Sequence, residues 1–156
     1  MIDVAELAKK SSVSWIQAHG RIWPIWHEWV TNDDGDGGVC VVGSVEGADS
    51  GATGGGSEQP IPDVVDGETV TLLLRGKADR ALAASVEVRA EIIGPGSQAW
   101  EPVTTALKAG RLNLDDAANA VDRWARECRV LRLIPTSTTP ASELPDDVAR
   151  TLPRLS

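Results

Sequence analysis

Residues 21–30 constrain what this chain can fold into more than any other stretch. They run Arg21, Ile22, Trp23, Pro24, Ile25, Trp26, His27, Glu28, Trp29, Val30, and hold three of the six Trp in the chain. Phe and Tyr are absent, so every aromatic side chain is an indole. Successive side chains of an extended strand point to opposite faces. Ile22, Trp26 and Val30 share one parity and Trp23, Ile25 and Trp29 the other, so the strand is covered on both faces, as in a barrel with something packed outside it. Pro24 has no N–H for a ladder, which places an edge, a bulge or a gap at that point. A turn rich in Asp and Gly follows at residues 32–38, and Val39, Cys40, Val41 and Val42 return as the second arm of a hairpin.

Most of what remains also reads as antiparallel strands. Residues 13–18 form one, closed by His19 and Gly20, and residues 68–75 another by β-branched content. Residues 82–93 make a longer one, where Val86, Val88, Ala90 and Ile92 alternate with Glu87, Arg89 and Glu91, giving a dry face and a wet one. Helices are expected at residues 2–10, 97–109 and 115–127. In the last of these Ala117, Val121, Trp124 and Cys128 recur at helical spacing. Residues 128–134 return to strand alternation and Pro135 stops it. No regular strand–helix alternation supports a doubly wound sheet, so the expectation is a small, mostly β barrel or α+β domain of about six antiparallel strands with inserted helices. The division is an N-terminal helix at 1–11, the barrel domain at 12–135, and an extended or disordered tail at 136–156.

Charge narrows the partners. Fifteen Lys plus Arg against 23 Asp plus Glu leave a net charge of −8. Such a chain repels phosphate backbones and anionic bilayers, which argues against nucleic-acid and membrane partners. The first six residues have no basic start and no apolar run, so they read as the first turn of a helix in a cytoplasmic protein rather than as a signal peptide. Cys40 and Cys128 are read as free buried thiols, and two Cys with two His give no zinc-type spacing.

Few residues are placed for chemistry. Nine of the 15 glycines fall between positions 35 and 56, yet neither phosphate-loop nor dinucleotide spacing is present; the segment is a plain surface loop or a flap touching a ligand. Arg75 and Lys77, at a strand end, point the same way and are either a phosphate clamp or a solvated strand end. His27 is read as a satisfied barrel residue, with a role in a site as the alternative. Two histidines assemble no nucleophilic triad, which leaves hydrolysis poorly supported. Core packing claims two of Trp23, Trp26 and Trp29, and a planar ligand could stack on the third.

Gly20 through Val30, the Asp/Gly turn, and the apolar strand from Val39 to Ser44 together resemble the core hairpin of pyridoxamine 5′-phosphate oxidase-like split β-barrels. The order of the later strands, the inserted helices and a closing strand fit the same family, over roughly residues 12–135. The resemblance implies a homodimer with flavin mononucleotide (FMN), or a related deazaflavin cofactor, in a groove between subunits, and hydride transfer by that cofactor to a small substrate. It places Arg21 where family members often use an Arg on this strand, Trp23, Pro24, Ile25 and Trp26 beside the flavin ring, and Gly43 and Ser44 at the phosphate-proximal turn. The family's basic phosphate grip is here Ser57, Glu58 and Gln59, and a Lys on the first strand is here Trp26; Arg75 and Lys77 would substitute from the next strand. Those departures carry the alternative: a non-catalytic split barrel that has lost flavin and binds another small ligand or a protein.

Overall fold

The computed structural model describes residues 4–11, 13–31, 37–45, 59–75, 82–110 and 119–140. The elements run α1 (Val4–Lys10), β1 (Val13–Ala18), β2 (Arg21–Trp26), β3 (Glu28–Thr31), β4 (Gly37–Val45), β5 (Pro60–Ile61), β6 (Thr69–Arg75), β7 (Leu82–Ile93), α2 (Trp100–Gly110), α3 (Ala120–Glu127) and β8 (Arg129–Pro140). The strands pair in the order β2-β1-β6-β7-β8-β4-β3, with β5 added to β4 in the parallel sense. Every other pairing is antiparallel. This is a split β-barrel with inserted helices.

The order of strands dictates the closure. β2 and β3 are the two edges of the sheet, yet only His27 lies between them in the chain. One residue spans at most about 3.5 Å, so the sheet must curl until its edges meet at that point. The ten residues from 21 to 30 are therefore not one strand, as their sequence reads. The first six pair back onto β1 through a two-residue turn, and the last three pair forward onto β4. His19 (φ 51°) and Gly20 (φ 75°) both have positive φ, the mirror-image turn that suits the strands' twist.

Two cores result. Inward side chains of the barrel, among them Ile16, Trp23, Ile25, Val39, Val41, Leu72, Leu74, Val86, Val88, Leu131 and Leu133, form one, with Ala8 of α1 joining it. The outer face of β4 carries the second, where Cys40 and Val42 pack with Val103 and Leu107 of α2 and Trp124 of α3. Apolar residues on both parities of residues 21–30 have this cause. Trp23 and Ile25 face the barrel, while Trp26 and Val30 face the helix layer.

Two local departures have physical reasons. β8 runs on past Pro135 to Pro140, because the register shifts between Glu87 and Val88 and the proline falls beside that irregularity, where a missing N–H costs no ladder bond. Thr136 Oγ1 donates to the Glu87 carbonyl at 3.1 Å there. α3 begins at Ala120, with residues 111–118 outside the described set, as are residues 32–36 of the expected 32–38 turn, the glycine-rich stretch 46–58, Lys77 and the tail from 141, whereas Gly37 and Gly38 open β4. Cys40 is buried and Cys128 half-buried, both as free thiols. Burial pushes the Cys40 thiol up to about 12, which leaves it a small apolar core group.

Candidate functional site: the seam between the barrel's edges

The point where β2 leaves for β3 leaves main-chain groups to satisfy, and one side chain satisfies them. In the hairpin register Ala18 faces Arg21, so Trp23 and Ile25 exchange bonds with β1, while Ile22, Pro24 and Trp26 turn their main-chain groups to the open edge. Pro24 thus sits where its missing N–H would have pointed outward, the position an edge strand tolerates. At Trp26 the open edge is met by Gln59. Gln59 Oε1 accepts from the Trp26 N–H at 2.6 Å, and Gln59 Nε2 donates to the Trp26 carbonyl at 2.8 Å. The same nitrogen donates to the Val42 carbonyl of β4 at 3.2 Å. One carboxamide thereby joins the edge strand β2 to β4.

Gln59 is itself held. The Ser44 N–H donates to the Gln59 carbonyl at 2.8 Å, and Pro60 and Ile61 continue beside Ser44 and Val45. Pro60 biases Gln59 to extended backbone. Gly43 makes the approach possible, since a Cβ there would lie 2.5 Å from the Gln59 carbonyl oxygen and 2.6 Å from Ile61 Cγ2. Gly43→Ala is therefore expected to push β5 off β4 and cost about 1–3 kcal/mol by overpacking, read from a urea unfolding curve. An unchanged midpoint would show that β5 is not held against β4.

Trp26, Gly43 and Ser44 are thus brought together, with Gln59 at their centre. Arg21 is not with them: it lies five residues back along β2, about 17 Å away. Its guanidinium stacks 4.8 Å from the centroid of the Trp23 ring. Trp23 and Ile25 point into the packed barrel and are buried, whereas Trp26 is half-buried against the helix layer. Arg75 lies one residue past the Leu74–Ser14 pair, two strand spacings or about 10 Å from Trp26. Its Nε donates to Ser11 Oγ at 3.2 Å. Gln59 is the member that sequence reasoning treated only as part of a departure from a basic grip.

His27 is fully buried and has both ring nitrogens in use. Nε2 lies 3.0 Å from the Ala8 carbonyl, which can only accept, so this nitrogen carries the proton. Nδ1 then accepts from Ser14 Oγ at 2.8 Å. Burial pulls the imidazole down to about 4, against the raising effect of the Ala8 and Ser11 carbonyls. The ring is a neutral tie between α1, β1 and the β2–β3 break. Glu28, next in the chain, is raised by burial; its carboxyl packs against Gly110 at the end of α2. The other histidine, His19, bonds Glu68 at 2.7 Å near the hairpin turn. A hydrogen bond from the Val65 N–H and the His19 contact hold the Glu68 carboxyl below its usual range. Arg129 pairs with Asp63 at 2.7 Å and Arg132 with Glu91 at 2.8 Å on the outside of the sheet. An open depression over α3, lined by Asn119, Asp122, Ala125 and Arg126, contains none of the seam residues. No helix among the described residues is long and apolar enough to cross a membrane.

The sequence matches no protein-family model, and no curated protein matches it. Solved structures do resemble the fold. One is HutZ, described as the heme storage protein from Vibrio cholerae, at 14% identity and TM-score 0.51, covering 86% of this chain and 89% of that one. Another is the conserved hypothetical protein Rv2991 from Mycobacterium tuberculosis, at 17% identity and TM-score 0.52, covering 100% of this chain and 92% of that one. At such identities the likeness is one of fold, and the fold shared is the split barrel.

Proposed function

We propose that this chain is a small-ligand-binding split barrel that takes a flat heteroaromatic cofactor, FMN or a deazaflavin, at the Trp26–Gln59 seam and works as a homodimer. The observation that carries this reading is the Trp26 main-chain pair. Its N–H and C=O point out of the sheet and are matched by a planar amide. The pyrimidinedione edge of a flavin is also a planar amide, with a carbonyl beside an N–H, so the donor set fits the ring edge. Arg75, about 10 Å from Trp26 by strand spacing, is the described cation placed for a phosphate, with Lys77 after it in sequence. Ile22 and Pro24 lie half-buried on the outer face of β2 and form part of the apolar surface a second copy would cover. A bound flavin supplies hydride chemistry; the protein's share is to place the ring and exclude water.

A heme, which the description of one structural neighbour mentions, fits less well. Both nitrogens of His27 are hydrogen-bonded in the core, and His19 is engaged by Glu68. The non-catalytic alternative has its own support, because described cations are engaged within the chain: Arg75 on Ser11, Arg129 on Asp63 and Arg132 on Glu91.

The test is the visible spectrum of the purified protein, followed by titration with FMN and with a deazaflavin and read by flavin fluorescence. Saturable binding in the micromolar range is expected, with Arg75→Ala weakening it about tenfold, the worth of one charge-assisted hydrogen bond. No binding of either cofactor at tens of micromolar would end the flavin reading and leave the non-catalytic alternative, a barrel that binds another small ligand or a protein. Binding unaffected by Arg75→Ala would remove Arg75 from the site.

A further inference from the structure

Gln59 does more than join two strand ends. We infer that its carboxamide is a built-in competitor for the ligand's amide edge: it occupies the Trp26 N–H and C=O, and a ligand that reads this pair must first displace it. The inference rests on the cofactor reading above and adds to it the residue that sets affinity and specificity.

The geometry supports competition rather than cooperation. An amide N–H has one good acceptor direction, and at 2.6 Å the Gln59 oxygen fills that of Trp26. A ligand carbonyl cannot bond the same N–H while Gln59 Oε1 remains. The carboxamide is also held ready, because its own main chain is fixed by the Ser44 N–H and by the pairing of Pro60 and Ile61 with β4. Little side-chain entropy is then lost in keeping it seated, and an incoming ligand must outbid three hydrogen bonds.

The same arrangement selects ligand chemistry. A displacing group must offer an acceptor to the Trp26 N–H and a donor to the Trp26 carbonyl from one rigid edge. A cyclic imide or lactam does this; a carboxylate or an ether has no donor, and an alkyl edge offers neither group. The Val42 carbonyl, which loses its donor on displacement, favours ligands or ordered water that bring a second N–H or O–H to it. Displacement also unties β2 from β4, so ligand entry and opening of the seam are one event. The class of ligand is therefore an amide-edged heterocycle, and the affinity shown by the intact chain is what remains after Gln59 has been expelled.

Two measurements on the full chain test this, with FMN as the probe. In Gln59→Ala the Trp26 pair is released, and FMN is expected to bind at least tenfold more tightly than to the wild type, with no gain for a ligand of similar size that lacks an N–H beside a carbonyl, such as N3-methylated FMN. Should the variant fail to fold, the wild-type protein answers by nitrogen-15 NMR: the Gln59 side-chain amide resonances shift and lose exchange protection as FMN saturates the protein. Binding that is equal or weaker in Gln59→Ala, or a Gln59 amide unmoved at saturation, overturns the competition and leaves the cofactor reading standing. Absence of binding of both FMN and a deazaflavin by both proteins overturns the cofactor reading and this inference with it. Binding by the variant alone supports the competition and ends the cofactor reading for the intact chain.

Discussion

Trp124→Ala is expected to lower stability by about 3–5 kcal/mol and the melting temperature by roughly 10 °C, the range for emptying a large buried aromatic site in a domain of this size. Trp124 is fully buried at the centre of the second core, where α3 meets Val103 and Leu107 of α2 and the outer face of β4. β4 is the strand that both β8 and β3 pair with, and its outward residues Cys40 and Val42 have only the helix layer to cover them among the described elements. Loss of the indole leaves a cavity that two short helices cannot refill, so α2 and α3 loosen together rather than singly. Amide exchange should then rise across both helices and in β4, with β6 and β7 much less affected. Trp124→Phe, which keeps most of the volume, should recover more than half of the loss. A Trp124→Ala protein that melts within 2 °C of the wild type would mean that the helix layer adds nothing to the barrel.

Different parts of this fold were legible for different physical reasons. β7 could be read from sequence to the residue because Val86, Val88 and Ala90 alternate with Glu87, Arg89 and Glu91, and β1 because His19 and Gly20 close it. Residues 21–30 could not be divided, because a strand buried on both faces has no period to break. What breaks it is His27, and its partners Ser14 and Ala8 lie 13 and 19 residues away. A lone imidazole inside an apolar run is the one local hint, and it gives no direction. Pro24 was read as an edge, a bulge or a gap, since a missing N–H is a local fact, and the fold makes it an edge. Pro135 was read as a stop because the bulge that accommodates it depends on the partner strand β7.

The candidate site shows the same limit. Trp26, Gly43 and Ser44 could be named from a family resemblance, but that they meet is a property of the closed sheet. Gln59 was visible only as one of three residues standing where the family has a basic grip. Its significance lies in bonds to Trp26 and Val42, 33 and 17 residues away. By contrast Trp23 and Arg21, which share the Trp-rich segment, are carried by the strand's alternation and length to the barrel interior and to the opposite end. Proximity in sequence had grouped what the pleat separates.

The buried imidazole makes stability depend on pH in a defined direction. His27 is neutral in the folded chain with a pKa brought down to about 4, against about 6.5 for an exposed ring. Between those values the unfolded chain holds one proton more than the folded chain, so stability rises with pH there, by about 1.4 kcal/mol per unit, and is lost as pH falls from 6.5 towards 4. The whole interval amounts to about 3 kcal/mol, a large share of a typical domain's 5–15 kcal/mol. Hydrogen bonding is not what fails: Nε2 still donates to Ala8, and the Ser14 hydroxyl can turn to accept from a protonated Nδ1. The cost is a charge on a fully buried ring, which burial alone imposes. Glu68, held below its usual range, adds to the loss as the solution is acidified, whereas Glu28, raised by burial, offsets part of it by taking up a proton more readily than in the unfolded chain. Urea unfolding at half-unit steps from pH 7 to 4 measures the slope. In His27→Gln, which keeps a donor for Ala8 and cannot charge, the slope over that window should flatten markedly even if the variant starts less stable. Equal slopes in the two proteins would place the titration elsewhere and free His27 from its role as the neutral tie between α1 and the break from β2 to β3.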